Sequence, residues 1–494
     1  MPDAVPPVAP RRPIELTHFD DVRVDDYHWL RDREDPAVLA YLTAENEFAA
    51  AALSETAALE STIYDEIVSR IVETDVTAAV RWGQWWYYER TFEGRNYPRH
   101  CRRPRGTEAY PDSFDAPGEE VVLDENELAE GHDFCSVGVL SVSPDHRLVA
   151  IGVDFDGDER HALSFRSLDG SDAPSEVIGD VGYSVEWTAD CSTILYVRVD
   201  DAWRPHELWR HELGTDPADD VLVFAEPDER FRVGISRSRD GAALIVHVSS
   251  SMTTEVLALD ATSPLELEVV WPRRPGVECA IEHLTAPDGQ RWWLAVTNDD
   301  ALDFRVLAAV RGRLLSFDEI VPERPGTRID GIDAFATHLA LSERLDGCAS
   351  VRLLPLLGDA DPFGEDLLGR GTVVDSDEVP ATTVLGATPE FDSRSVRIVQ
   401  TTLVTPFSSI DVELATGSRT VRKRQEVQGG YDPERFVSTR LWVTARDGVQ
   451  VPVSIVHRCD LLGATGTPGD APSSPRPLLL YGYGAYEVSI DPTF

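Results

Sequence analysis

A polar turn recurs through the middle of this 494-residue chain at nearly constant spacing. Ser143-Pro144-Asp145, Thr188-Ala189-Asp190, Ser238-Arg239-Asp240 and Ala286-Pro287-Asp288 place their aspartates 45, 50 and 48 residues apart. Apolar, β-branched runs such as Ile194-Leu195-Tyr196-Val197 and Leu244-Ile245-Val246-His247-Val248 follow these turns. A gap then leads to a second apolar run ending in another turn, as in Leu208-Trp209-Arg210-His211-Glu212-Leu213-Gly214. A four-stranded unit repeated every 45 to 50 residues predicts a β-propeller. From residue 76 to 425 aromatic and β-branched runs alternate with Gly, Asp, Ser and Pro clusters, and no helical pattern interrupts them. At this period the stretch holds about seven blades. The alternative is a large sandwich whose turns fall in phase by chance.

The flanks read differently. In residues 1–75, Asp35-Pro36 supplies a helix cap followed by proline at the first helical position. Leu39 and Leu42, then Leu59, Ile63, Ile67 and Ile71, recur at helical spacing, which predicts an irregular leading segment and two helices. From 430 to 494 the pattern changes again. A hairpin is predicted around Asp447-Gly448, then a Gly/Pro/Ser/Thr loop over 463–477, then a fully buried strand Leu478-Leu479-Leu480-Tyr481 opening into Gly482-Tyr483-Gly484. The expected architecture is mainly β: an N-terminal helical arm (1–75), a seven-bladed β-propeller (76–425) and the first strands of an incomplete α/β domain (430–494).

Composition removes several function classes. Hydrophobic residues make up 42% of the chain, too many for a mainly disordered protein. No run approaches the length of a membrane span, and the N-terminus lacks a basic segment followed by an apolar core, so the expected location is cytoplasmic. Acids outnumber bases 87 to 45, and Lys423 is the single lysine. The net charge of −42 is spread along the chain. It reads either as a solvated surface or as a field that draws in cationic peptides. Nucleic-acid binding, which needs clustered positive charge, is disfavoured. The six cysteines show no Cys-x-x-Cys pair and read as buried thiols, with neither structural zinc nor a disulfide framework.

The search for chemistry is mostly negative. Gly-x-Ser-x-Gly, the phosphate-binding glycine loop and His-Glu-x-x-His are all missing from the sequence. His206 and His211 flank a predicted strand and make a poor metal pair. Asp154-Phe155-Asp156-Gly157-Asp158 has some of the look of a calcium loop, but its glycine is misplaced and its twelfth residue is Phe165. No metal and no cofactor are expected. The Tyr-Gly-Tyr-Gly turn at a strand end would aim a phenol and backbone N–H groups into a cleft, where a phenol can stabilise an oxyanion. On spacing alone, Tyr483 reads better as a packing residue.

Four segments together resemble a known family. Asp25-Asp26-Tyr27-His28-Trp29-Leu30-Arg31-Asp32, Leu123-Asp124-Glu125-Asn126, the run from Leu441 to Ser454, and Leu480-Tyr481-Gly482-Tyr483-Gly484 are similar to the prolyl oligopeptidase family of serine peptidases. Ala445-Arg446-Asp447-Gly448-Val449 and Ser489-Ile490-Asp491 resemble the oligopeptidase B (protease II) branch more than prolyl oligopeptidase itself. The resemblance spans the chain in the order helical arm, propeller, start of an α/β-hydrolase domain. It implies cleavage of short peptides, after Arg or Lys in the oligopeptidase B branch, with the propeller covering the active site. It implies that Tyr483 is the oxyanion-hole tyrosine, followed by the small residues Gly484 and Ala485.

In that family the nucleophilic serine, the aspartate, the histidine and the acidic specificity pocket all follow the Tyr-Gly-Tyr-Gly strand, whereas this sequence stops ten residues past Gly484. The expectation is a truncated serine peptidase, inactive alone. Its partners would be short, basic peptides and a separately encoded C-terminal hydrolase fragment, with no nucleic acid and no membrane. Two alternatives stand beside it. One is a non-catalytic propeller that binds peptides or a partner protein. The other is a propeller enzyme of another class, such as a glycosidase, which would need a pair of cleft carboxylates that 87 scattered acids do not single out.

Overall fold

The recurrent turn is one structure built three times with a hydroxyl and once without. The Oγ of Ser143 donates to Asp145 at 2.6 Å, that of Thr188 to Asp190 at 2.6 Å and that of Ser238 to Asp240 at 2.8 Å. The same oxygens accept the backbone N–H groups of Leu148, Thr193 and Ala243. At the fourth turn Ala286 has no hydroxyl, and Asp288 still caps the N–H of Gln290 at 2.9 Å. Each turn joins the first strand of a sheet segment to the second, so a five-residue hairpin loop sets the repeat.

A computed structural model describes residues 5–106, 110, 118–312, 316–358, 361–461, 477–486 and 488–494. The chain divides into two compact units, Met1–Val72 with Val427–Tyr431 and Glu73–Glu426 with Asp432–Phe494. Among the described residues the larger unit carries six antiparallel sheets of four or more strands, in chain order. Sheet I runs from Asp75–Val76 to Glu120–Asp124 and has five strands. Sheet II runs from Ser136–Val142 to Val221–Ala225 and has seven. Sheets III to VI have four each, opening with Arg232–Arg237, Cys279–Thr285, Thr327–Ala334 and Ala381–Leu385.

The expectation of seven separate blades is therefore corrected. Among the described residues there are five sheets of blade size and one continuous seven-stranded sheet. Strand Ile178–Trp187 is the reason. Ile178 and Val181 pair with His161–Ser167 on one side, and Val185–Trp187 pair with Thr193–Val199 on the other. Its ten residues carry the ladder across what would otherwise be a break between blades.

Neighbouring sheets stack face to face, and the sequence of their middle strands reflects this. Ile194–Val197 are all buried, with Leu195 and Val197 packed toward sheet III and Ile194 and Tyr196 toward the first strands of sheet II. In Ala243–Ser249, Leu244, Val246 and Val248 face sheet II while Ala243 and Ile245 face sheet IV. A strand covered on both faces reads as an unbroken apolar run rather than an alternation. Further clusters fill the IV–V and V–VI junctions. The ring closes between sheets I and VI through side chains. Arg397 donates to the carbonyls of Ala79 (2.7 Å) and Ala78 (3.3 Å), Arg81 pairs with Glu390, and Lys423 pairs with Asp75.

The flanks need further corrections. The helical arm is short. α1 (Pro36–Leu53) begins at Asp35, whose carboxylate accepts the N–H of Ala37 at 2.8 Å, and α2 (Ala57–Val68) ends before Ile71. The leading segment is not irregular throughout, since Ile14–His18 and Asp21–Asp25 form an antiparallel hairpin. At the other end, Phe436–Thr444 and Gln450–Arg458 pair around Asp447-Gly448, with Gly448 at φ 89° and Asp447 accepting the N–H of Val449. Most of the loop expected over 463–477 lies outside the described residues. Leu478–Tyr481 is not a buried strand, because no strand pairs with it among the described residues, and its side chains stand exposed. All six cysteines are free, but only Cys101, Cys135 and Cys279 are buried.

Candidate functional site

The first strands of the sheets converge on a funnel. It has a volume of about 840 Å³, and its wall includes Trp82, Glu186, Arg237, Arg239, Glu282 and Glu390. The wall forms where these strands end and the recurrent turns begin, so each turn delivers its flanking charges to the axis. Arg239 spans the opening: its guanidinium bonds Asp333 at the end of sheet V's first strand and the Thr388 carbonyl, and lies 4.6 Å from the Phe335 ring centre. Glu390 receives Arg81 and the N–H of Gly83.

Burial acts strongly on two funnel acids. It pushes the Glu186 carboxyl up to about 7, against the pull of Arg237 at 3.6 Å. It pushes Glu282 up to about 8, against the His283 N–H and the charge of Arg239. Asp240 goes the other way: burial would raise it, but hydrogen bonds from His283, Thr285 and Ser238 hold it at about 2. The raised pair gives a pH signature. Both folded-state values lie above the ordinary 4.5, so this contribution to stability is complete below pH 4.5 and is lost as pH rises through about 7 and 8. A Glu186→Gln/Glu282→Gln variant should lose less stability than the parent between pH 5 and 9 in thermal melts; parallel curves would contradict the burial argument.

The tail and the hairpin attach at the opposite end, where the first strands begin. Arg344 holds Asp491 at 2.6 Å, Thr382 donates to the Pro492 carbonyl at 3.2 Å, and Arg440 donates to the Asp346 carbonyl at 2.7 Å. Tyr483 sits on an irregular segment with its side chain about half exposed (53%). The structure does not bring Tyr483 together with the funnel charges.

The weaker sequence candidates have structural roles. His211 is buried, bonded to Asp220 at 2.7 Å and Glu176 at 3.2 Å. Asp154 accepts the N–H groups of Asp156, Gly157 and Glu159, which closes its turn. Among the described residues no cluster of His, Cys, Asp or Glu could hold a metal ion, and no helix is long and apolar enough to cross a membrane. Sequence reasoning missed Glu186, Arg237, Arg239 and Glu282. The available signal was a charged residue within four positions of each repeated turn.

Comparison with known proteins agrees with this architecture. Residues 6–425 match the family domain described as "Prolyl oligopeptidase, N-terminal beta-propeller domain". The chain is 32% identical over 506 residues to dipeptidyl aminopeptidase BI of Pseudoxanthomonas mexicana, covering 99% of this chain and 66% of that protein. It is 32% identical over 495 residues to protease 2 of Moraxella lacunata, covering 99% and 67%. The structure of oligopeptidase B from Leishmania major superposes with a TM-score of 0.89 at 29% identity, covering 99% of this chain and 69% of that one. The chain thus spans about two thirds of the length of these relatives. It belongs to the prolyl oligopeptidase family, with oligopeptidase B among its structural relatives.

Proposed function

We propose that this chain is the propeller-bearing part of a serine oligopeptidase of the oligopeptidase B type, which cleaves short peptides after Arg or Lys. The observation that carries the reading is the match over residues 6–425 together with the close superposition on oligopeptidase B. The 494 residues contain no Gly-x-Ser-x-Gly motif. On this reading the serine, aspartate and histidine come from a hydrolase segment outside them, and the chain alone is inactive. Tyr483 donates to the oxyanion only in the completed enzyme. The net charge of −42 favours approach of basic peptides.

The test is hydrolysis of a fluorogenic Arg-X peptide by the purified chain, beside the chain mixed with a supplied C-terminal hydrolase fragment. Turnover is expected in the mixture only. Silence in both with a folded propeller would favour the non-catalytic, peptide-binding reading, and turnover by the chain alone would overturn the assignment of the triad elsewhere.

A further inference from the structure

Beside the funnel, where sheet I meets sheet VI, lies a second cavity of about 240 Å³ with an unusual wall. Four guanidinium groups, Arg81, Arg105, Arg397 and Arg422, line it with two carboxylates, Glu390 and Asp411. That is a local excess of two positive charges in a chain of net charge −42. Gathering four like charges is unfavourable unless counter-charge arrives.

Asp411 is shared: its two oxygens accept Arg397 Nε at 2.8 Å and Arg422 Nε at 2.6 Å. Glu390 is occupied by Arg81 and the N–H of Gly83, while Arg105 stays 4.0 Å away. Arg397 spends a terminal nitrogen on the Ala79 carbonyl. The terminal nitrogens of Arg422 make no hydrogen bond among the described residues. Ser393, Ser395 and Thr388 add hydroxyls to the same wall. Planar forks with uncommitted N–H groups in a small polar cavity match an oxyanion.

We propose that this cavity binds a small oxyanion, the free carboxylate of a short peptide. Glu390 lines both this cavity and the funnel, so the two adjoin. A short peptide in the funnel can therefore seat its carboxylate among the arginines. The anion site rests on the geometry; its assignment to peptides rests on the oligopeptidase reading.

The experiment is calorimetric titration of the full 494-residue chain, at constant ionic strength, with Gly-Gly, with its C-terminal amide and with inorganic phosphate. Gly-Gly should bind saturably and the amide should not, and Arg422→Gln should weaken binding at least about tenfold, the value of one charge-assisted contact. If that variant does not fold, Arg105→Gln serves instead, since its side chain is 37% exposed and only loosely tied. No binding by any probe overturns the site. Phosphate binding without Gly-Gly binding, or equal binding of the amide, overturns the carboxylate assignment, and undiminished binding by the variants overturns the location. The titration needs no catalysis, so its failure leaves the peptidase reading intact, and silence in the peptidase assay leaves this site intact.

Discussion

Replacing Tyr483 by Phe should lower kcat of the completed enzyme by about 100- to 1,000-fold, the usual cost of one oxyanion donor. KM should change little, because the phenol stabilises charge that develops only in the transition state. The expectation follows from the proposed role of Tyr483. The structure makes the substitution clean: the side chain is half exposed on an irregular segment, so removing one hydroxyl disturbs no packed core. Kinetics of the mixed chains measure it, with unchanged thermal melting as the control. A loss below about tenfold in kcat would mean that other donors hold the oxyanion and that Tyr483 is a packing residue after all.

Asp240→Ala should destabilise the larger unit far more than Asp145→Ala, although the two aspartates occupy the same place in the repeat. Asp145 bonds the hydroxyl and backbone of its own turn, and its loss should cost about 1 kcal/mol. Asp240 also reaches into the next sheet, taking His283 at 2.7 Å and Thr285 at 2.6 Å. His283 is fully buried, with its ring 4.9 Å from that of Trp293. Removing Asp240 strands these donors in the interior, for a loss of about 3–5 kcal/mol. Its depressed carboxyl adds a pH dependence of opposite sign to that of the funnel glutamates. The stabilisation is present above pH 3.8 and is lost as pH falls through about 2. Denaturant titrations of the two variants decide the point, and equal losses would show that the inter-sheet bonds contribute nothing.

Much of the fold was legible because it is local. The turn at 143–145, 188–190 and 238–240 is written in residue types that bond to themselves, and the Asp35-Pro36 cap and the Asp447-Gly448 hairpin are local in the same way. Where sequence reading failed, the missing information was long-range. Leu478–Tyr481 has the composition of a buried strand, but a strand exists only where another offers its hydrogen bonds. The division of sheets failed likewise, since nothing in residues 178–187 announces that one strand pairs with both His161–Ser167 and Thr193–Val199.

The candidate sites divide along the same line. Tyr483 was found by its motif, and the motif alone supplies its proposed role. The funnel and the arginine cavity have no motif: Arg239 and Asp333, or Arg81 and Glu390, are far apart in sequence and meet only when the ring closes. By itself the sequence determined the repeat, the strand-forming runs, the caps and the family resemblance, all properties of neighbouring residues. The tertiary structure alone decided which charges share a wall, which are buried enough to shift their protonation, and where one continuous sheet replaces two, because these depend on distances that chain order does not encode.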